Sequence, residues 1–426
     1  MHPTSDRKGE RGVTMLLVVA AMFAILAMAA LAIDVMTLYA AHTDAQRASD
    51  AAALAGARTY VLSGFTSWQL GDPSLGATQS PICSPGAPGT GVANSEAVTV
   101  AAQNQIAGQT AAVTSISCDF TIPENPRLTV TTGRTNLPTF FGRIFGQRTV
   151  SVSASSTAEV FNASGSSVPI SVASVKPWLL PNCNPNSPPC GGGDFFIDTA
   201  NSYALKNPTA FIGQTYGLQM RRTPSPQNDQ YYALDMSAMQ ATVCPSSSAR
   251  GCLNVGGGSY LDNIACANTN RLSCGSVVRL SNRNTSWWMR GENLSGAQCL
   301  IHTDDIGPSP DQDEFTAGGA GNPVVITGGL ANPNPALQGV TNISSSDSVV
   351  TVPVFRWNGV DPCPGGRCGG TQTVIGFLQL AVLDAGSPTT SYLDVMVLNA
   401  VGCNPSNSGT PVTGGGVSAV PVRLVE

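Results

Sequence analysis

From Val13 to Ile33 the chain runs 21 residues without a charge, VTMLLVVAAMFAILAMAALAI. At about 1.5 Å per residue such a helix is roughly 30 Å long, the hydrocarbon thickness of a bilayer. Arg7, Lys8 and Arg11 precede the run, and Asp34 is the first charge after it. That bias predicts residues 1–12 as a short cytoplasmic N-terminus, 13–33 as a transmembrane helix and the remainder on the outer side. Neither Pro nor Gly occurs between Val13 and Ala55, so the predicted helix continues past the bilayer surface. There the pattern becomes striped. Leu38, Ala41, Ala45, Ala48, Ala52, Ala55, Thr59 and Leu62 recur at steps of three and four, which places them on one helical face. A seam made mostly of alanine lets a neighbouring sheet or helix come close. Asp44, Arg47 and Asp50 form a second row, whose local pairs contribute only about 0.2–0.5 kcal/mol each. Two readings stay open: a stalk with a solvated charged edge, or a helix docking an outer domain or a partner along Ala41, Ala45, Ala48, Ala52 and Ala55.

Downstream the period shortens. Residues 63–91 are a Gly/Pro/Ser-rich connection, and Asn94 or Ser95 is placed to cap a helix running to about Gly108. Thr110–Phe120, Arg127–Thr132 and Thr149–Val160 alternate as strands do. Pro138 suits the first turn of a short helix over Pro138–Phe145, whose Phe140, Phe141, Ile144 and Phe145 are expected to pack into a core. A Ser-rich hinge over 162–168 separates a stem domain (34–161) from a second unit (169–426). The second unit reads as β with long loops: strand-like Gly192–Ile197, Val277–Leu280, Val324–Thr327, Val349–Phe355, Val374–Leu383, Tyr392–Asn399 and Val417–Val425, broken by Gly-Gly runs.

The stretch AIDVMTLYAAHTDAQRASDAAALAGA resembles the N-terminal segment of the TadE/TadG-like family of tight-adherence (Flp) pilus-assembly proteins. The matching motif positions are Asp34, Gln46, Ala48, Asp50, and Ala51 through Ala57 with Gly56 among them. Leu128–Val160 is similar to the family's strand, Pro-Thr-Phe-Phe segment and second strand. YYALDMSAMQ, VVTVPVFRWNG and VIGFLQLAVLDAG look similar to the ectodomains of TadG-like proteins. The resemblance implies a non-enzymatic membrane component whose partners are pilus-assembly or secretion proteins.

Composition narrows the picture. Charged residues are 11% of the 426 and the net charge is −5, which argues against a nucleic-acid partner. The chain has 45 Gly and 30 Pro, which implies many turns and short strands. All 12 cysteines lie on the outer side of the predicted span, with no Cys-x-x-Cys spacing, which points to structural disulfides in an oxidising compartment. Short loops suggest the local pairs Cys183–Cys190, Cys244–Cys252, Cys266–Cys274 and Cys363–Cys368. Ala27-Met28-Ala29 would fit a signal peptidase, but the apolar run is longer than an ordinary signal core of about 7–15 residues. Leu17 stands where processed pilins carry Glu after a cut following Gly12, so an uncleaved anchor is expected.

Candidate chemistry is sparse. Asp304, Asp305, Asp311, Asp313 and Glu314 form the densest acidic cluster, a calcium candidate without EF-hand spacing. A serine hydrolase would have to use His302, beside Asp304 and Asp305, and no Gly-x-Ser-x-Gly elbow accompanies it. Phe195–Ser202 ends in Asp198-Thr199-Ala200-Asn201-Ser202, in which Ala200 removes a hydroxyl from the metal motif of an adhesion-type A domain. Trp287 and Trp288, with Arg290 nearby, leave two readings open: tryptophans packed under a loop, the commoner case, or an aromatic surface for glycans or protein. No Walker loop or dinucleotide fingerprint occurs, and no cofactor or small-molecule substrate is expected. The expected architecture is α+β: a long N-terminal transmembrane helix in the bacterial inner membrane, a pilin-like α+β stem domain, then a β-rich disulfide-stapled outer domain, periplasmic or extracellular.

Overall fold

The computed structural model describes residues 8–64, 79, 81–86, 88–164, 168–187, 193–220, 230–236, 241–244, 252, 260–268, 271–282, 287–304, 307–317, 324–343, 345–364, 368, 370–386, 392–413 and 418–425. Helix α1 (Lys8–Leu62) is unbroken over 55 residues. From Val13 to Ile33 its large apolar side chains are exposed among the described residues, and its most hydrophobic window is 0% buried. Among the described residues it is the single helix long and apolar enough to cross a membrane.

Beyond Asp34 the same helix is clasped by a small sheet. The stem holds α2 (Val92–Ala102) and the antiparallel strands β1 (Ala112–Asp119), β2 (Arg127–Pro138) and β3 (Thr149–Val160). Alternation on β2 and β3 turns Leu128, Val130, Ala158 and Val160 onto α1 and α2, where Ala52, Ala53, Ala57, Ala93 and Ala97 complete a core of small residues. Alanine on both helices brings the backbones close. At Gly56 an added Cβ would run into the Leu128 side chain and lie 2.9 Å from the Ala93 carbonyl oxygen.

The stem departs from four local expectations. Helix α2 stops at Ala102 rather than near Gly108, because Ala107 and Gly108 at positive φ turn a hairpin between Gln105–Ile106 and Gln109–Thr110. Its cap position is Gly91, and Asn94 instead ties the preceding loop, accepting from Ser84 N and donating to Ser84 O and Pro88 O. Pro138 ends strand β2 rather than opening a helix: the ladder absorbs an irregularity between Arg134 and Leu137, and only Gly142–Phe145 forms a 3-10 turn. That turn is not core. Phe140 is 64% exposed and Ile144 78%.

The outer unit is built on β4 (Trp178–Pro181), β5 (Thr215–Met220), β6 (Gln230–Ala233), β7 (Val277–Arg279), β8 (Val349–Phe355), β9 (Thr371–Asp384) and β10 (Tyr392–Gly402). Their order is β7-β9-β8-β4-β6-β5-β10, and β9 also pairs with β10, so six of the strands form a ring of pairings. Both faces are covered, which is why β8 and β9 read as continuous apolar runs. Val352, Val354, Leu378, Leu380 and Val395 belong to one core; Phe355, Val374, Phe377 and Val401 belong to another. Helices α3 (Tyr260–Ala265) and α4 (Trp287–Leu300) pack on each other, and Ile264, Leu294 and Ala297 reach the first core. The pattern hid α4, whose 14 residues include Gly291, Ser295 and Gly296. The strand expected over Gly192–Ile197 is limited to Ile197–Asp198, paired with Ala204–Leu205.

The cysteines pair across the fold more than along it. Cys83–Cys118 pins the long connection to β1, Cys363–Cys368 closes a short loop as expected, and no described cysteine is free. Two expected local pairs are wrong. Cys244 bonds Cys266, because the ladder of Ala241–Val243 with Ala267–Asn268 sets them opposite each other. Cys252 bonds Cys299 at the end of α4. Cys274 bonds Cys403, both hanging beside Val374–Ile375 of β9. Cys183 is disulfide-bonded, and Cys190, its expected partner, lies outside the described residues.

The last strand, β11 (Val422–Val425), leaves the outer unit and pairs antiparallel with β3, completing a four-stranded stem sheet in the order β11-β3-β2-β1. The buried Glu159 carboxylate clamps it, accepting from Arg423 on β11 and Arg127 on β2.

Candidate functional site

The motif residues of the N-terminal segment converge on one surface, the face of α1 that meets β2 and β3. Ala41, Ala45, Ala48 and Ala52 are 0% exposed, and Ala55 is half-buried. The small-residue seam is therefore filled by the chain's own stem. Polar groups along it are paired rather than left in the contact. Gln46 Nε2 donates to Asp50 Oδ1 at 2.8 Å and to Ser156 Oγ at 2.8 Å. Ser156 Oγ also donates to Asp50 Oδ1 and lies 2.7 Å from Ser49 Oγ. Thr132 Oγ1 donates to the Ala45 carbonyl at 2.9 Å. Lower on the rod, Asp44 accepts from the Ala107 amide of the small hairpin at 3.1 Å.

Asp34 plays the corresponding part where the apolar run ends. Its carboxylate accepts three backbone N–H groups, Phe140 at 2.8 Å, Phe141 at 3.0 Å and Gly142 at 2.7 Å. These are donors at the start of the 3-10 turn, where an anion is favoured. The contact fastens the β2–β3 connection to the rod at the level where hydrocarbon would end. At the other end, Asn399 of β10 donates to the Val61 carbonyl at 3.1 Å, and Leu62 enters a core with Phe315, Ile326, Val349 and Leu398. From Asp34 onward the rod thus touches the stem, and at its far tip the outer unit.

The remaining candidates find separate, structural places. Asp313 is buried and accepts from Gly329 N at 2.8 Å and Asn332 Nδ2 at 3.0 Å, so its carboxylate holds two loop segments together. Asp304, Asp311 and Glu314 are exposed, and Asp305 lies outside the described residues. Among the described residues no group of three or more His, Cys, Asp or Glu is placed to hold a metal ion. A cleft of about 700 Å³ opens beside this loop, lined by Pro308, Gln312, Phe315, Thr327 and Leu330. His302 does not line it. The imidazole is 1% exposed, with Nε2 3.3 Å from Asp347 Oδ2 and neither ring nitrogen in an aligned hydrogen bond. Asp198 accepts from Ala200 N and Asn201 N, and Asp194 from Thr199, which makes Phe195–Ser202 a braced turn. Trp287 and Trp288 open α4, with side chains outside the described set. The tryptophan that matters to the outer core is Trp178, which periodicity did not single out: it is buried and donates to Asn293 Oδ1 at 2.8 Å.

Among the described residues of the outer unit, Lys176 is a buried cation with a displaced pKa. Burial lowers its pKa from 10.5 to about 8, against a partly opposing attraction from Asp347, while Nζ donates to the Cys266 carbonyl at 2.9 Å. The unfolded chain holds this proton more tightly, so the penalty is full below about pH 8 and fades as pH rises towards 10. Lys176→Met is expected to gain up to about 3 kcal/mol at neutral pH relative to its own value near pH 10, set against the wild type. Parallel urea titrations of both proteins at pH 7, 8, 9 and 10 measure the gap; a gap constant with pH rules the effect out.

Residues 12–59 match the model of the family described as "Putative Flp pilus-assembly TadE/G-like". The match spans the apolar rod and the seam just described, and leaves the rest of the chain unassigned. No curated protein and no solved structure matches the chain.

Proposed function

We propose that this protein is a non-enzymatic, membrane-anchored component of Flp/Tad-type pilus assembly or its associated secretion machinery. One observation carries the reading: the family match coincides with the rod and with the motif residues that dock the stem, Asp34, Gln46 and Asp50 through their side chains and Gly56 through the close approach it allows. The helix-on-sheet layout supports a pilin-like stem, and the five described disulfides support an outer body in an oxidising compartment. With Arg11 and Lys8 on the short side, α1 crosses the bacterial inner membrane once, N-terminus in the cytoplasm. Assembly partners meet surfaces other than the alanine seam, which the stem already occupies.

The test is made in cells carrying the pilus locus. Deletion of the gene is expected to remove surface fibres, and a photocrosslinker at exposed Arg47 to capture products of that locus. Full piliation in the deletion strain, with crosslinks only to unrelated proteins, would overturn the reading. Protease added to spheroplasts is expected to digest the stem and outer unit and spare only the N-terminal anchor.

A further inference from the structure

The β2–β3 connection presents an apolar tip that none of the described residues covers. Phe140 and Ile144 are 64% and 78% exposed, and Arg143 and Arg148 beside them are exposed too. No Asp or Glu occurs between Arg127 and Glu159, so the charged side chains of the hairpin itself are Arg134, Arg143 and Arg148. Three amides of the tip are bonded to Asp34, the first residue after the 21-residue uncharged run. The tip is therefore held at one height on the rod. That height is fixed by the length of the run, since about 30 Å of helix fills the hydrocarbon and leaves Asp34 at its edge. Just above, α1 still exposes Met36 at 72% and Tyr39 at 73%.

From this geometry we infer that the tip is a second membrane contact: Phe140 and Ile144 enter the outer boundary of the same bilayer that α1 crosses, with Arg143 and Arg148 at the phosphate level. The inference rests on α1 being the membrane anchor. The occupant is lipid because the tip is continuous with the lipid-facing rod. Aromatic and apolar residues flanked by arginine are also the composition that settles at a membrane interface. The strands run along α1, with Ala45 bonded to Thr132 and Asp34 to Phe140, so the hairpin points down the rod towards the membrane. The stem then stands on the bilayer at two points, the rod and the tip, which fixes its tilt.

The experiment uses the full-length protein in vesicles of phosphatidylcholine and phosphatidylglycerol containing brominated acyl chains. Ile144→Trp is compared with two controls read as difference fluorescence against the wild type. Phe23→Trp lies in the apolar run, and Ile122→Trp is 55% exposed at the opposite end of the sheet. Emission from Ile144→Trp is expected to shift to the blue and to fall at least twofold with bromines near the headgroup end of the chain, while Ile122→Trp is unaffected. Quenching of Phe23→Trp without quenching of Ile144→Trp would overturn the second contact and leave the anchor standing. Blue-shifted but unquenched emission would place protein over the tip and overturn it equally. Quenching at neither Phe23→Trp nor Ile144→Trp would remove the anchor itself, and this inference with it.

Discussion

Replacing Ala48 or Ala52 with Leu should loosen the stem from its rod, at a cost of about 1–3 kcal/mol per site. Both alanines are 0% exposed, in clusters that hold Ala154 and Leu137 or Leu128 and Ala158, with no room for three more carbons. The two sites are one turn apart, so the double variant departs from additivity. The readout is thermal unfolding and protease sensitivity of the detergent-solubilised protein. Arg47→Leu, on the exposed side of the same turn, serves as the control and should change neither. Normal melting of both alanine variants would mean that the seam is not packed as described.

The second large effect concerns the outer unit. Cys274–Cys403 closes a separation of 129 residues, whereas Cys363–Cys368 closes one of 5. On the chain-entropy account, removing the first costs about 5 kcal/mol and the second about 2 kcal/mol. Cys274→Ser with Cys403→Ser should therefore lose most of the folded yield, while Cys363→Ser with Cys368→Ser retains it. Urea midpoints of the two double variants, measured under non-reducing conditions, decide the matter. Equal midpoints would show that native packing around Val374 and Ile375, not the loop, sets the stability of the outer unit.

How much of this the sequence carries depends on how local each signal is. The rod was legible to its end, because an uncharged run followed by a three-and-four stripe without Pro or Gly has one regular solution. Strands β3, β8, β9 and β10 were legible too, since alternation or a buried apolar run survives in each. The short strands β4, β5 and β6 were not, being four to six residues whose pairing is supplied by distant partners. Disulfide connectivity failed for the same reason: closeness along the chain suggested Cys266–Cys274, while the ladders placed each beside a different neighbour. The phenylalanine segment misled in another way. Apolar composition suggested core, but the amide bonds to Asp34 turn Phe140 and Ile144 outward, and no pattern within 138–145 encodes a partner a hundred residues upstream.

Strand β11 has a consequence for biogenesis. Arg423 reaches Glu159 across 264 positions, so the free margin of β3 stays unsealed until nearly all of the chain in between has been made. An open strand margin invites pairing with other chains. The stem of a growing or prematurely stopped polypeptide would thus remain sticky until residues 422–425 arrive, on the far side of the outer unit in the sequence, to close that margin.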